Sequence, residues 1–275
     1  MKRYRLLPVL FLCLILLSAC EALNLSADPT PIVPPEGWQL IWQDEFDEKE
    51  IDTSNWTYDL GGGGWGNGEM QTYTDTKDNA RVDDGLLIIT AQKETLDSGG
   101  FVFTSARMKT QGLQTFQYGR IEARIKVPAG GGLWPAFWML GENFPVVGWP
   151  DCGEIDIMEY VGREPDLIIG TIHGPGYSGA MGLSQWNRQD YPIADDFHTY
   201  AIEWDTDQIS WFYDGEKYST FTREDVGIRP WAFDQPFFII LNLAIGGTLG
   251  GIVSNDTEFP AEYLVDYVRV YEQVP

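Results

Sequence analysis

From Trp38 onward, apolar and polar residues alternate over short stretches, and turn residues separate those stretches. The cleanest case is GRIEARIKV, residues 119–127, with Ile121, Ala123, Ile125 and Val127 on one face and Arg120, Glu122, Arg124 and Lys126 on the other. A period of two marks a half-buried strand, because successive side chains point to opposite faces. GLLIITAQK, FTSARMKT, PFFIILNLA and YLVDYVRVYE add further strands. TYAIEWDTDQISWFYDGEKYSTFT reads as three more, joined at Asp205-Thr206-Asp207 and at the Asp214-Gly215 turn. No long stretch carries a helical period, and 30 glycines and 16 prolines punctuate the run. The pattern predicts an all-β chain, a two-sheet antiparallel jelly-roll sandwich with one concave face. A propeller would need a repeat of about 40–50 residues, and none is present.

The first residues follow a different rule. Lys2, Arg3 and Arg5 precede the apolar run LLPVLFLCLILL, which ends in Leu17-Ser18-Ala19-Cys20. A basic start, a short apolar core and small residues at its end predict a cleaved secretory signal over residues 1–19. The cysteine directly after the small residues resembles a bacterial lipobox, which implies acylation of Cys20. Residues 20–36, with Pro29, Pro31, Pro34 and Pro35, read as a semi-rigid spacer. The expected product is a secreted protein, lipid-anchored to a bacterial cell envelope, with residues 37–275 forming one domain. Loss of Lys2, Arg3 and Arg5 moves the net charge from −23 to −26. Such acidity disfavours nucleic acid and anionic lipid head groups as partners and is compatible with a neutral polymer. Two histidines, with Cys152 the one cysteine inside the domain, exclude a dense His/Cys metal site and a disulfide framework. A monomer is expected.

The chemistry concentrates in GWPDCGEIDIMEYVG, residues 148–162, where Glu154, Asp156 and Glu159 interrupt an apolar run. Glu154 and Asp156 share a face of a strand, but Glu159, five positions on, would point away. One extra residue, Met158 or Ile157, absorbed in a β-bulge restores parity. The two glutamates then stand roughly 13 Å apart between Cα atoms, and side chains leaning inward approach the ~5–5.5 Å carboxyl separation of a retaining glycosidase. Three acids this close cannot all ionise freely, so one must hold a proton. By parity Cys152 lies on the same face and fills space.

EIDIME resembles the catalytic strand of glycoside hydrolase family sixteen in its bulged form, typical of laminarinases. The resemblance runs from about Trp38 to Glu272. It implies Glu154 as nucleophile, Glu159 as acid/base and Asp156 as the residue that tunes the nucleophile. GGGLWPAFWML supplies Trp134 and Trp138, which match substrate-stacking tryptophans. Asn67 and Glu69 in GWGNGEMQTYT, and Arg107 in TSARMKT, match groups that contact sugar hydroxyls. His173 in GTIHGPG matches a position near the cleavage point, whereas His198 is expected to pack or cap. QDEFD, DDGLLI and LVDYVRVYE resemble segments that meet at a structural calcium, with Glu45, Gly85 (through its carbonyl) and Asp266 as ligands. No cofactor is required for the chemistry. The implied activity is retaining endo-hydrolysis of internal β-1,3-glucosidic bonds in glucans such as laminarin. A mixed-linkage β-1,3-1,4-glucanase, a transglycosylase and a glucan-binding lectin are the rival readings.

Overall fold

The computed structural model describes residues 32–275, so residues 1–19, Cys20 and most of the spacer lie outside the described residues. The strands in chain order are β1 Trp38–Asp44, β2 Thr57–Tyr58, β3 Gln71–Tyr73, β4 Ala80–Asp83, β5 Leu86–Thr95, β6 Phe101–Ser105, β7 Arg107–Lys109 and β8 Gly119–Lys126. There follow β9 Leu133–Gly141, β10 Glu154–Tyr160, β11 Leu167–His173, β12 Leu183–Arg188, β13 His198–Trp204, β14 Gln208–Tyr213, β15 Glu216–Thr222, β16 Phe237–Ile245 and β17 Ala261–Gln273. Residues 34–275 form one compact unit.

Two sheets make the sandwich. The ten-stranded sheet runs β15-β14-β13-β8-β17-β5-β6-β3, with β1 on β17 and β4 on β5. The seven-stranded sheet runs β12-β11-β10-β9-β16-β7-β2. All pairings are antiparallel except β3 with β6. FTSARMKT is two strands, not one: the chain leaves the ten-stranded sheet after Ser105 and enters the other at Arg107. Ala106, fully buried at that crossing, has the small side chain a sheet-to-sheet step requires.

The alternation read from the sequence decides what lies between the sheets. Ile121, Ala123, Ile125 and Val127 of the β8 segment enter the core, as do Ile239, Leu241, Leu243 and Ile245 of β16. The other face of β8 departs from the simple half-buried picture, because Arg120 and Glu122 are also buried. They bond to each other, and Glu203, Tyr267 and the ring of Phe212 close over them. On the outer side of the seven-stranded sheet a small apolar cluster of Leu140, Cys152, Phe238 and Ile240 packs against Trp138. Cys152 fills space there as parity predicts, and burial pushes its thiol up to about 11.

Candidate active site

The three acids of β10 share one face because of a bulge. Against β9, Asp156 pairs with Trp138 and Met158 with Phe137, which leaves Ile157 without a register partner. Against β11, Asp156 pairs with Thr171 and Glu159 with Ile169, so Ile157 and Met158 both stand opposite Gly170. Ile155, Ile157, Met158 and Tyr160 all enter the core. Full burial of each such aliphatic side chain is worth about 1.5–3 kcal/mol, which fixes the register that turns the acids outward. Gly170 is required opposite the bulge: a Cβ there would meet the indole of Trp211 at 2.5 Å. That indole donates its N–H to the carbonyl of Asp156 at 2.8 Å, satisfying an acceptor at the point where the ladder is broken.

Around the acids, strand pairing assembles residues from distant parts of the chain. His173, opposite Glu154 on β11, has Nε2 at 3.3 Å from Asp156 Oδ2 and 3.8 Å from Glu154 Oε1. The Trp149 ring lies 6.1 Å from that of His173, and its indole N–H favours the ionised form of Glu154. Trp134 Nε1 donates to Glu159 Oε1 at 3.1 Å. Trp138 Nε1 donates to Asn242 Oδ1 at 2.7 Å, and the Arg107 guanidinium sits between the rings of Trp138 and Trp65, 4.7 and 5.1 Å from their centres. Arg107 is held in turn by Asp59 at 2.9 Å.

The loop that carries Asn67 and Glu69 joins the same face. Glu69 accepts from Asn67 at 3.1 Å, Gln71 at 2.6 Å and Tyr73 at 3.1 Å, and the Tyr73 hydroxyl accepts from Asn242. Every substrate-binding candidate thus lies on one side of the seven-stranded sheet, with His173 on β11 beside the catalytic strand. His198 is elsewhere, bonded to Asp214 and stacked between Tyr191 and Tyr213. Trp149, Asn242, Trp65 and Asp59 were not singled out in the sequence. Trp149 lies inside the acidic stretch itself and offered a signal; Asn242, in an apolar strand, offered only its polarity.

Electrostatics separates the acids. Burial pushes Glu154 to about 8, helped by the Asp156 charge and opposed by His173, the Trp149 N–H and Arg107. Burial lifts Asp156 to about 7, and its hydrogen bond with Glu154 pulls the other way. Glu159 is held well above the usual carboxylate range, first by burial and then by Asp156, with His173 opposing. Asp156 and Glu159 titrate as a pair, with Glu154 beside them. The arrangement can therefore hold a proton on Glu159 while negative charge rests on the carboxyls next to it. That is what acid-assisted displacement at a sugar carbon needs.

Two of the three expected calcium ligands, Glu45 and Asp266, carry ion pairs. The ladder does bring them near one another, since Leu87 stands opposite Val265 and Asp44 opposite Val268. Both oxygens of Glu45, however, are taken by Arg269 at 2.8 and 2.7 Å, and Asp266 Oδ2 by Arg124 at 2.7 Å. The Glu45 carboxylate does not fit a calcium shell while a guanidinium occupies it. No catalytic step depends on that site.

A family model described as Glycosyl hydrolases family 16 matches residues 67–269. A beta-glucanase of Rhodothermus marinus is 46% identical over 248 residues, covering 86% of this chain and 86% of that protein. Among solved structures, an endo-beta-1,3-glucanase from Pyrococcus furiosus is similar with a TM-score of 0.82 at 48% identity, over 86% of this chain and 95% of that one. The laminarinase catalytic domain from Thermotoga maritima gives 0.82 at 43% identity, over 87% and 100%. With the fold, the bulged acidic strand and the matched length in agreement, the chain belongs to glycosyl hydrolases family 16.

Proposed function

We propose that this glycoside hydrolase is a retaining endo-β-1,3-glucanase. The observation that carries the reading is the bulge in β10, which sets Glu154, Asp156 and Glu159 on one face with Glu159 as the proton holder. Glu159 protonates the glycosidic oxygen while Glu154 attacks the anomeric carbon, and a covalent glycosyl-enzyme forms as the leaving sugar departs. Glu159, now ionised, takes a proton from water, and the resulting hydroxide displaces Glu154 with the original anomeric configuration restored. Glu154 attacks as the carboxylate, so the proton it holds at rest passes to the neighbouring Asp156 as the first step begins. The Trp134 N–H orients Glu159, and the Trp149 N–H favours the charged form of Glu154. The bond preference rests on the relatives, whose names specify β-1,3-glucan or laminarin.

Incubation with laminarin should give new reducing ends, with the β-anomer appearing first by proton NMR. Activity confined to lichenan would overturn the linkage assignment, and binding without cleavage would make the protein a lectin. The cellular part of the proposal is a monomeric lipoprotein anchored through Cys20; fatty-acid labelling that persists in Cys20→Ser would refute it. A structural calcium would be held by Glu45, the Gly85 carbonyl and Asp266, in exchange for the Arg269 and Arg124 ion pairs. An unchanged Tm on adding EDTA would exclude it.

A further inference from the structure

The strand register defines a line of side chains across the outer face of the seven-stranded sheet. Arg107 of β7 pairs with Asn242 of β16, Asn242 with Ala136 of β9, and Ala136 with Glu159 of β10. Glu159 pairs with Ile169 of β11, and Ile169 with Trp186 of β12. Partners in an antiparallel ladder point to the same side, so all six share the face of the acids. The sugar-contact candidates Asn67, Glu69, Arg107, Trp134 and Trp138 lie on the β9, β16 and β7 side of Glu159. His173 of β11 and Trp186 of β12 lie on the other side.

Trp186 is unusual for its type. It is 63% exposed on the edge strand of the sheet, whereas Trp204 and Trp211 are buried. Among the described residues it stacks on no aromatic ring and makes no side-chain hydrogen bond. Its neighbours on the same face of β12 are Ser184, whose hydroxyl bonds to Thr171 at 3.0 Å, and Arg188, held by Glu164 and Asp166. A broad apolar ring beside a hydroxyl and a fixed guanidinium is suited to a pyranose, which offers an apolar face and a polar rim. Two strand spacings, about 9–10 Å, separate β12 from the catalytic strand. One to two sugar rings beyond the cleaved bond reach that far.

We propose that Trp186 is the stacking platform for glucosyl residues on the leaving-group side of the cleaved bond. This rests on the β-1,3-glucanase reading and deepens it. The ring holds the departing segment long enough for the bond to break. It also holds an incoming oligosaccharide in place of water, which biases the second step towards transfer.

The test compares two substrates in wild type, Trp186→Ala and Trp186→Phe. Laminarihexaose places sugars over β12; β-laminaribiosyl fluoride has a one-atom leaving group and reaches nothing there. Trp186→Ala should lower kcat/KM on the hexaose about five- to tenfold, the order that one aromatic stack contributes, and leave the fluoride rate unchanged. Trp186→Phe should retain most of the hexaose rate. Transfer products at high hexaose concentration should fall in Trp186→Ala. An unchanged hexaose rate, or equal losses on both substrates, would overturn the platform; so would a change confined to the oligomeric state. A wild type that hydrolyses the fluoride and cleaves no β-1,3-oligosaccharide would instead overturn the glucanase reading beneath it.

Discussion

Each sheet of the sandwich buries carboxylates, and the two sheets treat them in opposite ways. On the ten-stranded sheet Glu122 is met by Arg120 at 2.6 Å and by the Tyr267 hydroxyl at 2.9 Å, and the half-buried Glu45 just beyond β1 is met by Arg269. On the seven-stranded sheet Glu154, Asp156 and Glu159 crowd one another, and among the described residues His173, two indole N–H groups and a more distant Arg107 relieve them. The first arrangement satisfies each charge where it lies. The second leaves protons undecided, which costs stability and supplies acid and base chemistry. Buried acids thus mark a function only where no cation has been provided for them.

The largest effect that would sharpen this contrast is on catalysis. Glu154→Gln should lower kcat by about 10⁴-fold or more, because no other group can take the nucleophile's place. The same substitution should stabilise the fold. Folded Glu154 holds its proton up to about pH 8, so between its ordinary value of 4.5 and that point the native state binds more protons than the unfolded chain. The wild type therefore loses stability as pH rises through this window, and Glu154→Gln should lose less. A Tm gain of about 3–8 °C at pH 8, shrinking towards pH 5, is the expected result by calorimetry. A lower Tm at pH 8 would show that Glu154 is satisfied after all.

On the other sheet the signs reverse. Arg120→Met removes the cation and strands Glu122, which should cost about 3–5 kcal/mol by urea denaturation while the folded fraction keeps its kcat. Replacing Glu122 by Leu in the same protein should return much of the loss, and failure to do so would mean that the pair does more than neutralise itself.

Smaller effects are expected from the groups that hold the acids in place. Trp211→Phe keeps the core ring but leaves the Asp156 carbonyl without its donor, for about 1–3 kcal/mol. Because that carbonyl sits in the bulge, kcat should fall with KM little changed. A loss of stability with unaltered kcat would separate the bulge from the chemistry. The smallest change is expected from Trp149→Phe, which withdraws one N–H from Glu154. The acid limb of the kcat/KM profile should move to higher pH by less than about one unit, the scale of a single modest hydrogen bond. A limb that stays put would place the ionised charge on Asp156 alone.

The sequence by itself determined whatever depends on residues close together in the chain. Alternation in β8 and β16 set their core faces, and the five-residue spacing of Glu154 and Glu159 already demanded a bulge. Those features are legible because a side chain's direction on a strand follows from local backbone geometry. Which strands become neighbours is a different matter, since it depends on contacts between segments that lie far apart in sequence. Only the tertiary structure split FTSARMKT between two sheets, set Asn242 against Arg107, and laid Trp211 under the bulge. It also buried Arg120 and Glu122, which alternation had put on the polar face, and gave Glu45 to Arg269. Period two assigns a residue to a face; what covers that face, and whether a charge there meets a partner, is settled by packing across the sheets.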